Sequence, residues 1–291
     1  MDFKPDPEAR CNICGHEGPF IRPEGLKEGY QCTNCSASSR NRLVMYVLGV
    51  MLGFGDRPVF EWPENPSLRI LEPCPRGPQV PMLQAKFDYV TPEYDAEKIA
   101  AGADPREFAD VQQLPFDDAS FDFVIASDIF EHVREDVKGF REIFRTLKPG
   151  GTFLLTVPYD HARETTLERV KVEGEKDIPL VEPRYAGGGG ATLDYREYGR
   201  DLLQKLRDVG YAVGFLQLAM PRFGIYPSAI FICARQAYID LAPFLKACPD
   251  TTTSSYPSIG PLLPNRLFVW YKFNLRSLGY FLRQARMRLF G

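Results

Sequence analysis

Four cysteines near the start of the chain carry the plainest chemistry. Cys11-x-x-Cys14 and Cys32-x-x-Cys35 are separated by seventeen residues. Each CxxC can place two thiolates on one ion, and this is the spacing of a two-knuckle ribbon around a tetrahedral Zn2+. A small residue, Gly15 or Ser36, follows each pair and suits the tight turn that aims backbone N–H groups at thiolate sulfur. A redox dithiol would need one CxxC opening a helix beneath a strand, which two pairs this close do not fit. Four thiolates close the coordination sphere, so the zinc is expected to be structural, with His16 a bystander. The other reactive residues lie in mid-chain. Asp128 follows the apolar run FDFVIAS, and the stretch VPYDHARE gathers Tyr159, Asp160, His161, Arg163 and Glu164. His161 is the candidate base, because a neutral imidazole can take a proton near pH 7. Tyr159 and Arg163, with Tyr195 and Arg196 further on, are the candidate substrate neighbours.

The elements that would position these residues follow from periodicity. Between Val111 and Tyr159 a polar turn, an apolar strand, an amphipathic helix, a Lys148-Pro149-Gly150-Gly151 stop and a second apolar strand read as a βαβ unit. Strand candidates in order are 68–71, 87–90, 107–109, 121–126, 152–157, 211–216 and 229–234, the last two forming a hairpin around AMPRFGIYP. This is an α/β fold, a seven-stranded mixed sheet with helices on both faces. A helix over 133–147 crosses between the two central strands, with Arg134, Glu135, Arg141 and Glu142 on its wet face. In an open sheet of this kind ligands bind beyond the carboxyl ends of the strands, which is where Asp128 falls. Residues 164–194 lack periodicity and contain four consecutive glycines, so they read as an insertion covering the substrate. The glycines are no phosphate loop, since neither Lys-Ser nor Lys-Thr follows them.

Two stretches carry a family resemblance. The run from LPFDDASFD through FEHV and LKPGG resembles the second half of the Rossmann-like, class I S-adenosylmethionine-dependent methyltransferases of the type 11 kind. The segment holding Cys32, Cys35, Ser38 or Ser39, Arg40 and Arg42, and later the stretch YREYGRDLLQKLRDVGY, resemble bacterial methyltransferases associated with glycan and cell-surface polysaccharide pathways, which carry an N-terminal four-cysteine ribbon. The resemblance spans about residues 11–235. It implies S-adenosylmethionine as cofactor. In that class an acid after the first strand meets the amino group of the methionine end, which is Glu72 here, with Pro73 and Gly77 in the adjoining turn. The acid after the second strand accepts the ribose hydroxyls, which is Glu93. The acid after the third meets the adenine amine, which is Asp110 with Val111 beside it, and Asp128 completes the crevice. The first turn, EPCPRGP, departs from the usual Gly-x-Gly: Gly77 survives, while Pro73, Pro75 and Pro78 remove three N–H donors.

The domains are then a ribbon over 1–42, a linking helix over 43–66, a methyltransferase domain over 67–235 and a basic amphipathic helical extension over 236–291. Residues 251–291 hold six basic residues and no acid, which leaves −9 on the rest of a chain of net charge −3. A body this acidic is a poor general binder of nucleic acid. The extension either lies on an anionic membrane surface or packs on the body or a second subunit. No apolar stretch reaches spanning length and the start lacks a basic leader, so the expected location is cytoplasmic, with peripheral contact at the inner membrane as the extension's alternative. Three functions compete: O-methylation of a sugar, glycan or other small hydroxylated acceptor; RNA base methylation through Arg22, Lys27, Arg40 and Arg42; and a non-catalytic relative whose proline-rich turn no longer admits cofactor. The residues leave the acceptor and the oligomeric state open.

Overall fold

The alternation of Phe121–Ser127 dictates how the centre of the molecule is built. In the computed structural model, which describes residues 5, 8–23, 29–186, 192–236, 238, 239, 241 and 244, Ile125 of that strand faces one apolar core while Val124 and Ala126 face another. A strand buried on both sides needs helices on both sides. In chain order the elements are β1 (Phe20–Ile21), β2 (Gln31–Cys32), α1 (Ser39–Met51), β3 (Asn65–Leu71), α2 (Gln79–Gln84), β4 (Phe87–Val90), α3 (Ala96–Ala100), β5 (Phe121–Ser127), α4 (Asp136–Thr146), β6 (Leu147–Thr156), β7 (Leu167–Glu168), β8 (Val170–Glu173), β9 (Lys176–Pro179), β10 (Tyr185–Ala186), β11 (Thr192–Leu193), β12 (Arg196–Glu197), α5 (Leu202–Val209), β13 (Ala212–Met220) and β14 (Ile225–Ala234).

The main sheet runs β13-β14-β6-β5-β3-β4. The adjoining strands β6, β5, β3 and β4 are parallel, and β14 inserts antiparallel between β6 and β13. From β3 the chain winds outward to β4 and then returns to β5 on the other side, so the strand order reverses between β3 and β5. Their carboxyl ends open the crevice in which such sheets bind ligands.

The sheet has six strands where the sequence predicts seven. Residues 107–109 contribute only an isolated parallel bridge, Glu93 to Phe108. Phe108 and Ala109, between Glu107 and Asp110, offer too short an apolar run to extend the ladder. The helix predicted over 133–147 is α4, which starts at Asp136 because a 3-10 turn, Phe130–His132, precedes it. Lys148–Gly151, predicted as a stop, is taken into β6. The insertion folds into two-stranded pairs, β7 with β12, β8 with β9 and β10 with β11. Residues 187–191, Lys27 and nearly all of the C-terminal extension lie outside the described residues.

One face of the sheet is covered by α4 and α5, whose Phe140, Ile143, Leu202 and Leu206 share a core with Phe153, Phe215 and Phe231. The other face is covered by α1, whose Leu43, Val44, Val47 and Leu48 pack with Ile125, Leu154, Ile230 and Ile232. The helix that follows the cysteines therefore belongs to the sheet's own core. Ser38 caps it, and Asn41 reciprocates in a capping box. Among the described residues no helix is long and apolar enough to cross a membrane.

Candidate functional site

The four cysteines converge as the knuckle geometry requires. Gly15 and Ser36 both take positive φ, +73° and +59°, and their amides turn back to the carbonyls of Cys11 and Cys32 at 2.8 and 2.9 Å. All four Sγ atoms lie within 4.8 Å of one another. The Cys11–Cys35 and Cys14–Cys32 sulfurs are 3.8 and 3.7 Å apart, matching the edge of about 3.8 Å of a tetrahedron with Zn–S bonds near 2.3 Å. The donor set fits a zinc ion. The sulfur–sulfur contact with Cys35 lowers the Cys11 thiol below its usual range.

Arg42 ties this cluster to the sheet. Fully buried, it donates to the carbonyls of Ala37, Tyr30 (2.7 Å), Phe223 (2.8 Å) and Gly224 (2.7 Å), and it lies over the Phe20 ring at 4.5 Å. Two of these carbonyls flank the second CxxC and two sit in the β13–β14 turn. Burial lowers the guanidinium to about 10, which still leaves it charged at neutral pH.

At the crevice, Asp128 adopts a left-handed backbone conformation, φ +49°, just past the end of β5. Its amide donates to the Thr156 carbonyl at 3.0 Å, and its carboxylate takes the Thr156 hydroxyl at 2.7 Å and the Arg40 guanidinium at 2.8 Å. A strained conformation held by three contacts from two neighbours points to a working residue. Arg40, Asp128, Thr156, Val157, Tyr159, Ser228 and Ala229 line a cavity of about 190 Å3. Tyr159 packs its ring 5.0 Å from Phe231 and 5.4 Å from Phe215. Next to this group Glu131 is buried, with Oε2 lacking a hydrogen-bond partner. Burial, with the charge of Asp128 adding to it, raises its carboxyl well above the usual range.

On the other side of the switch point three loops lie together. Glu93 exchanges backbone hydrogen bonds with Glu107 and Ala109, at 2.7 and 3.0 Å, which brings the loop of Asp110 alongside. Arg76, in the proline-bearing turn, grips both oxygens of Glu93 at 2.7 and 3.1 Å. Asp110 accepts from the backbone and side chain of Gln112, at 2.8 and 3.1 Å, and Val111 is buried beneath it. Glu93 and Asp110 thus sit on adjoining loops, both half-buried, a carboxylate pair whose chemistry fits the ribose hydroxyls and amine of a nucleoside. Pro73 and Gly77 flank the same turn, in which Cys74 and Gly77 both take positive φ.

Other predicted residues have different placements. Glu72 is fully buried and accepts a hydrogen bond from Tyr89, and burial raises its carboxyl to about 8. A carboxyl that stays protonated at neutral pH is not the counter-charge expected for an ammonium group. Arg196, expected near substrate, is buried and donates to the carbonyls of Phe130, Val133 and Arg134, holding the insertion to the turn before α4. Tyr195 donates to Asp177 at 2.6 Å, and burial raises its hydroxyl to about 12. Both side chains are thus engaged within the fold. Arg163 faces Asp160 at 3.8 Å, and His161 is exposed on the loop after β6, outside the pocket lining.

Sequence reasoning missed Thr156 and Ser228, which line the pocket, and Arg76. The available signal was their position: Thr156 ends β6 one step from the Asp128 strand. Glu142, assigned to a wet face, instead accepts the Leu114 amide at 2.9 Å while Arg145 takes the carbonyls of Leu114 and Phe116. Of the cations that a nucleic-acid face would use, Arg42 is buried and Arg40 pairs with Asp128.

Residues 77–155, from the proline-bearing turn through β6, match the family model of the methyltransferase domain. A 27-O-demethylrifamycin SV methyltransferase of Amycolatopsis mediterranei is 35% identical over 79 residues, 26% of this chain and 29% of that protein. A demethylmenaquinone methyltransferase of Clavibacter sepedonicus is 49% identical over 57 residues, 19% of this chain and 23% of that protein. The chain thus spans less than a third of the length of these curated relatives. Among solved structures, an S-adenosylmethionine-dependent methyltransferase from Mesorhizobium loti aligns with a TM-score of 0.39 at 18% identity, over 60% of this chain and 93% of that one.

Proposed function

We propose that the protein is an S-adenosylmethionine-dependent methyltransferase acting on a hydroxyl of a small polar acceptor, a sugar or glycan hydroxyl being the class favoured. The observation that carries this reading is the placement of Asp128, which lies within the stretch that matches a methyltransferase domain: strained, clasped by Thr156 and Arg40, and lining a small cavity. S-adenosylmethionine, when bound, supplies the methyl group as an electrophile, so the protein's part is to position the acceptor and receive its proton. Glu93 and Asp110 would hold the nucleoside, and the turn around Gly77 would border the methionine end.

Asp128 meets the acceptor hydroxyl and takes its proton at the carboxylate, while Thr156 and Arg40 keep that carboxylate aimed into the cavity. It is favoured over His161 because it lines the cavity and His161 does not. A pocket with one cation, one anion and the Thr156, Ser228 and Tyr159 hydroxyls suits a neutral polyhydroxylated molecule. The four thiols would hold a Zn2+ that closes the N-terminal fold and takes no part in transfer. An RNA acceptor is disfavoured, because Arg42 is buried and the body is acidic.

The test is calorimetry with S-adenosylmethionine, followed by transfer of a labelled methyl group to a panel of simple glycosides and polyols. Binding, together with transfer that Asp128→Asn lowers and His161→Ala leaves unchanged, supports the reading. No binding by the full chain refutes it.

A further inference from the structure

The turn between β3 and α2 has few backbone donors of its own. Pro73, Pro75 and Pro78 have no N–H to give, so side chains and neighbouring loops supply much of what fixes it. The Cys74 amide reaches the Pro92 carbonyl at 2.8 Å. The Arg76 carbonyl receives two side-chain amides, Asn41 Nδ2 at 2.7 Å and Gln79 Nε2 at 3.1 Å. Gln79 is local, but Asn41 belongs to the first turn of α1, 35 residues away in sequence.

Asn41 is itself held for this purpose. Its Oδ1 accepts from the Ser38 amide at 3.0 Å and the Ser38 hydroxyl at 2.8 Å, so the capping box grips the oxygen end and presents the nitrogen to the turn. Gly77, at φ +129°, lies against the same side chain, and a Cβ there would come within 2.7 Å of Asn41 Nδ2. Arg76, whose carbonyl Asn41 holds, sends its guanidinium to Glu93. The adjoining helix residues also reach the sheet edge: the Ser39 hydroxyl accepts the Tyr226 amide at 2.7 Å, and Arg40 pairs with Asp128.

We infer that Asn41 is a positioning residue of the cofactor site: its side-chain amide adds from α1 a second, shorter hydrogen bond to the Arg76 carbonyl beside that of Gln79, and so ties the turn and Arg76 to the helix. The inference rests on the reading of this sheet edge as an S-adenosylmethionine site.

The experiment compares wild type, Asn41→Asp and Ser38→Ala, all as full chains, by calorimetry with S-adenosylhomocysteine and by thermal unfolding. Asn41→Asp keeps an oxygen for Ser38 and adds a charge that the start of a helix favours, but it removes the donor to Arg76. Expected are a melting temperature within about 2 °C of wild type and a Kd weaker by about fivefold to tenfold, as loss of one hydrogen bond implies. Ser38→Ala should do the reverse, lowering the melting temperature while Kd stays within about twofold. Wild type that binds while Asn41→Asp binds equally well overturns the inference alone. So does a Kd that simply follows melting temperature across both variants. Wild type that does not bind overturns the cofactor reading and the inference together. If Asn41→Asp does not fold, Asn41→Ser, too short to reach Arg76, is read by the same criteria.

Discussion

Replacing Glu72 by Gln separates two roles that the same position could serve. Glu72 is fully buried, its Oε2 accepts the Tyr89 hydroxyl, and burial raises its carboxyl from an ordinary value of 4.5 to about 8. The folded protein therefore keeps a proton there that the unfolded chain gives up, so stability falls as pH rises from the unfolded value through the folded one. Carried across that interval the effect is about 5 kcal/mol, of which roughly 3 kcal/mol accrues between pH 5 and pH 8. Gln has nearly the same shape and does not ionise. Urea unfolding at pH 5 should find Glu72→Gln close to wild type, and at pH 8 it should find the variant more stable by an amount approaching that difference. S-adenosylhomocysteine should bind both forms within about twofold at pH 7, since a protonated carboxyl offers an ammonium little more than an amide does. A variant that gains no stability at pH 8 and loses tenfold or more in affinity would show that Glu72 is ionised and grips the ligand, and the burial argument would be wrong.

Two further perturbations probe the cysteine cluster. Arg42→Met should cost at least about 4 kcal/mol, because four carbonyls lose a charged donor at once; thermal unfolding measures this, and a loss near zero would mean the carbonyls find other partners. Cys14→Ser should lower bound zinc, measured by elemental analysis, from about one ion per chain to near zero and expose the Arg10–Cys11 bond to trypsin; retention of a full equivalent would remove Cys14 as a ligand.

What could be read from the sequence was whatever depends on repetition along one segment. The β5–α4–β6 unit and the closing hairpin announce themselves because each buries alternate or every-third residues against a face, and that pattern survives any detail of the neighbours. The position of Asp128 just past a central parallel strand was legible for the same reason. The pairing of Cys11, Cys14, Cys32 and Cys35 was fixed by ligand count and spacing. What could not be read depends on which distant backbone carbonyls converge on a side chain. Arg196 looks like a surface residue of a loop until the carbonyls of Phe130, Val133 and Arg134 close around it. Glu72 looks like a ligand until Tyr89, one strand over, turns its hydroxyl inward. Residues 107–109 lack the length to hold a ladder, and only tertiary pairing with Glu93 shows that they stop at a single bridge.

Arg40 and Arg42 show how far this limit reaches. They are two residues apart, which on a helix of 3.6 residues per turn puts them about 200° apart around the axis, so they must face opposite ways. Composition cannot say which way either faces. In the fold, Arg42 turns into the seam between the second CxxC and the β13–β14 turn, where four carbonyls consume it, and Arg40 turns to the crevice, where Asp128 meets it. Asn41 between them reaches the Arg76 carbonyl. Because Ala37 and Tyr30, which flank Cys32 and Cys35, give their carbonyls to Arg42, whatever loosens the thiol cluster frees the start of α1. That start carries a contact to each half of the crevice. Loss of metal should then weaken cofactor and acceptor binding together, although no cysteine touches either, and an ion that served only to stabilise the N-terminal hairpin would leave both unchanged in the fraction that stays folded.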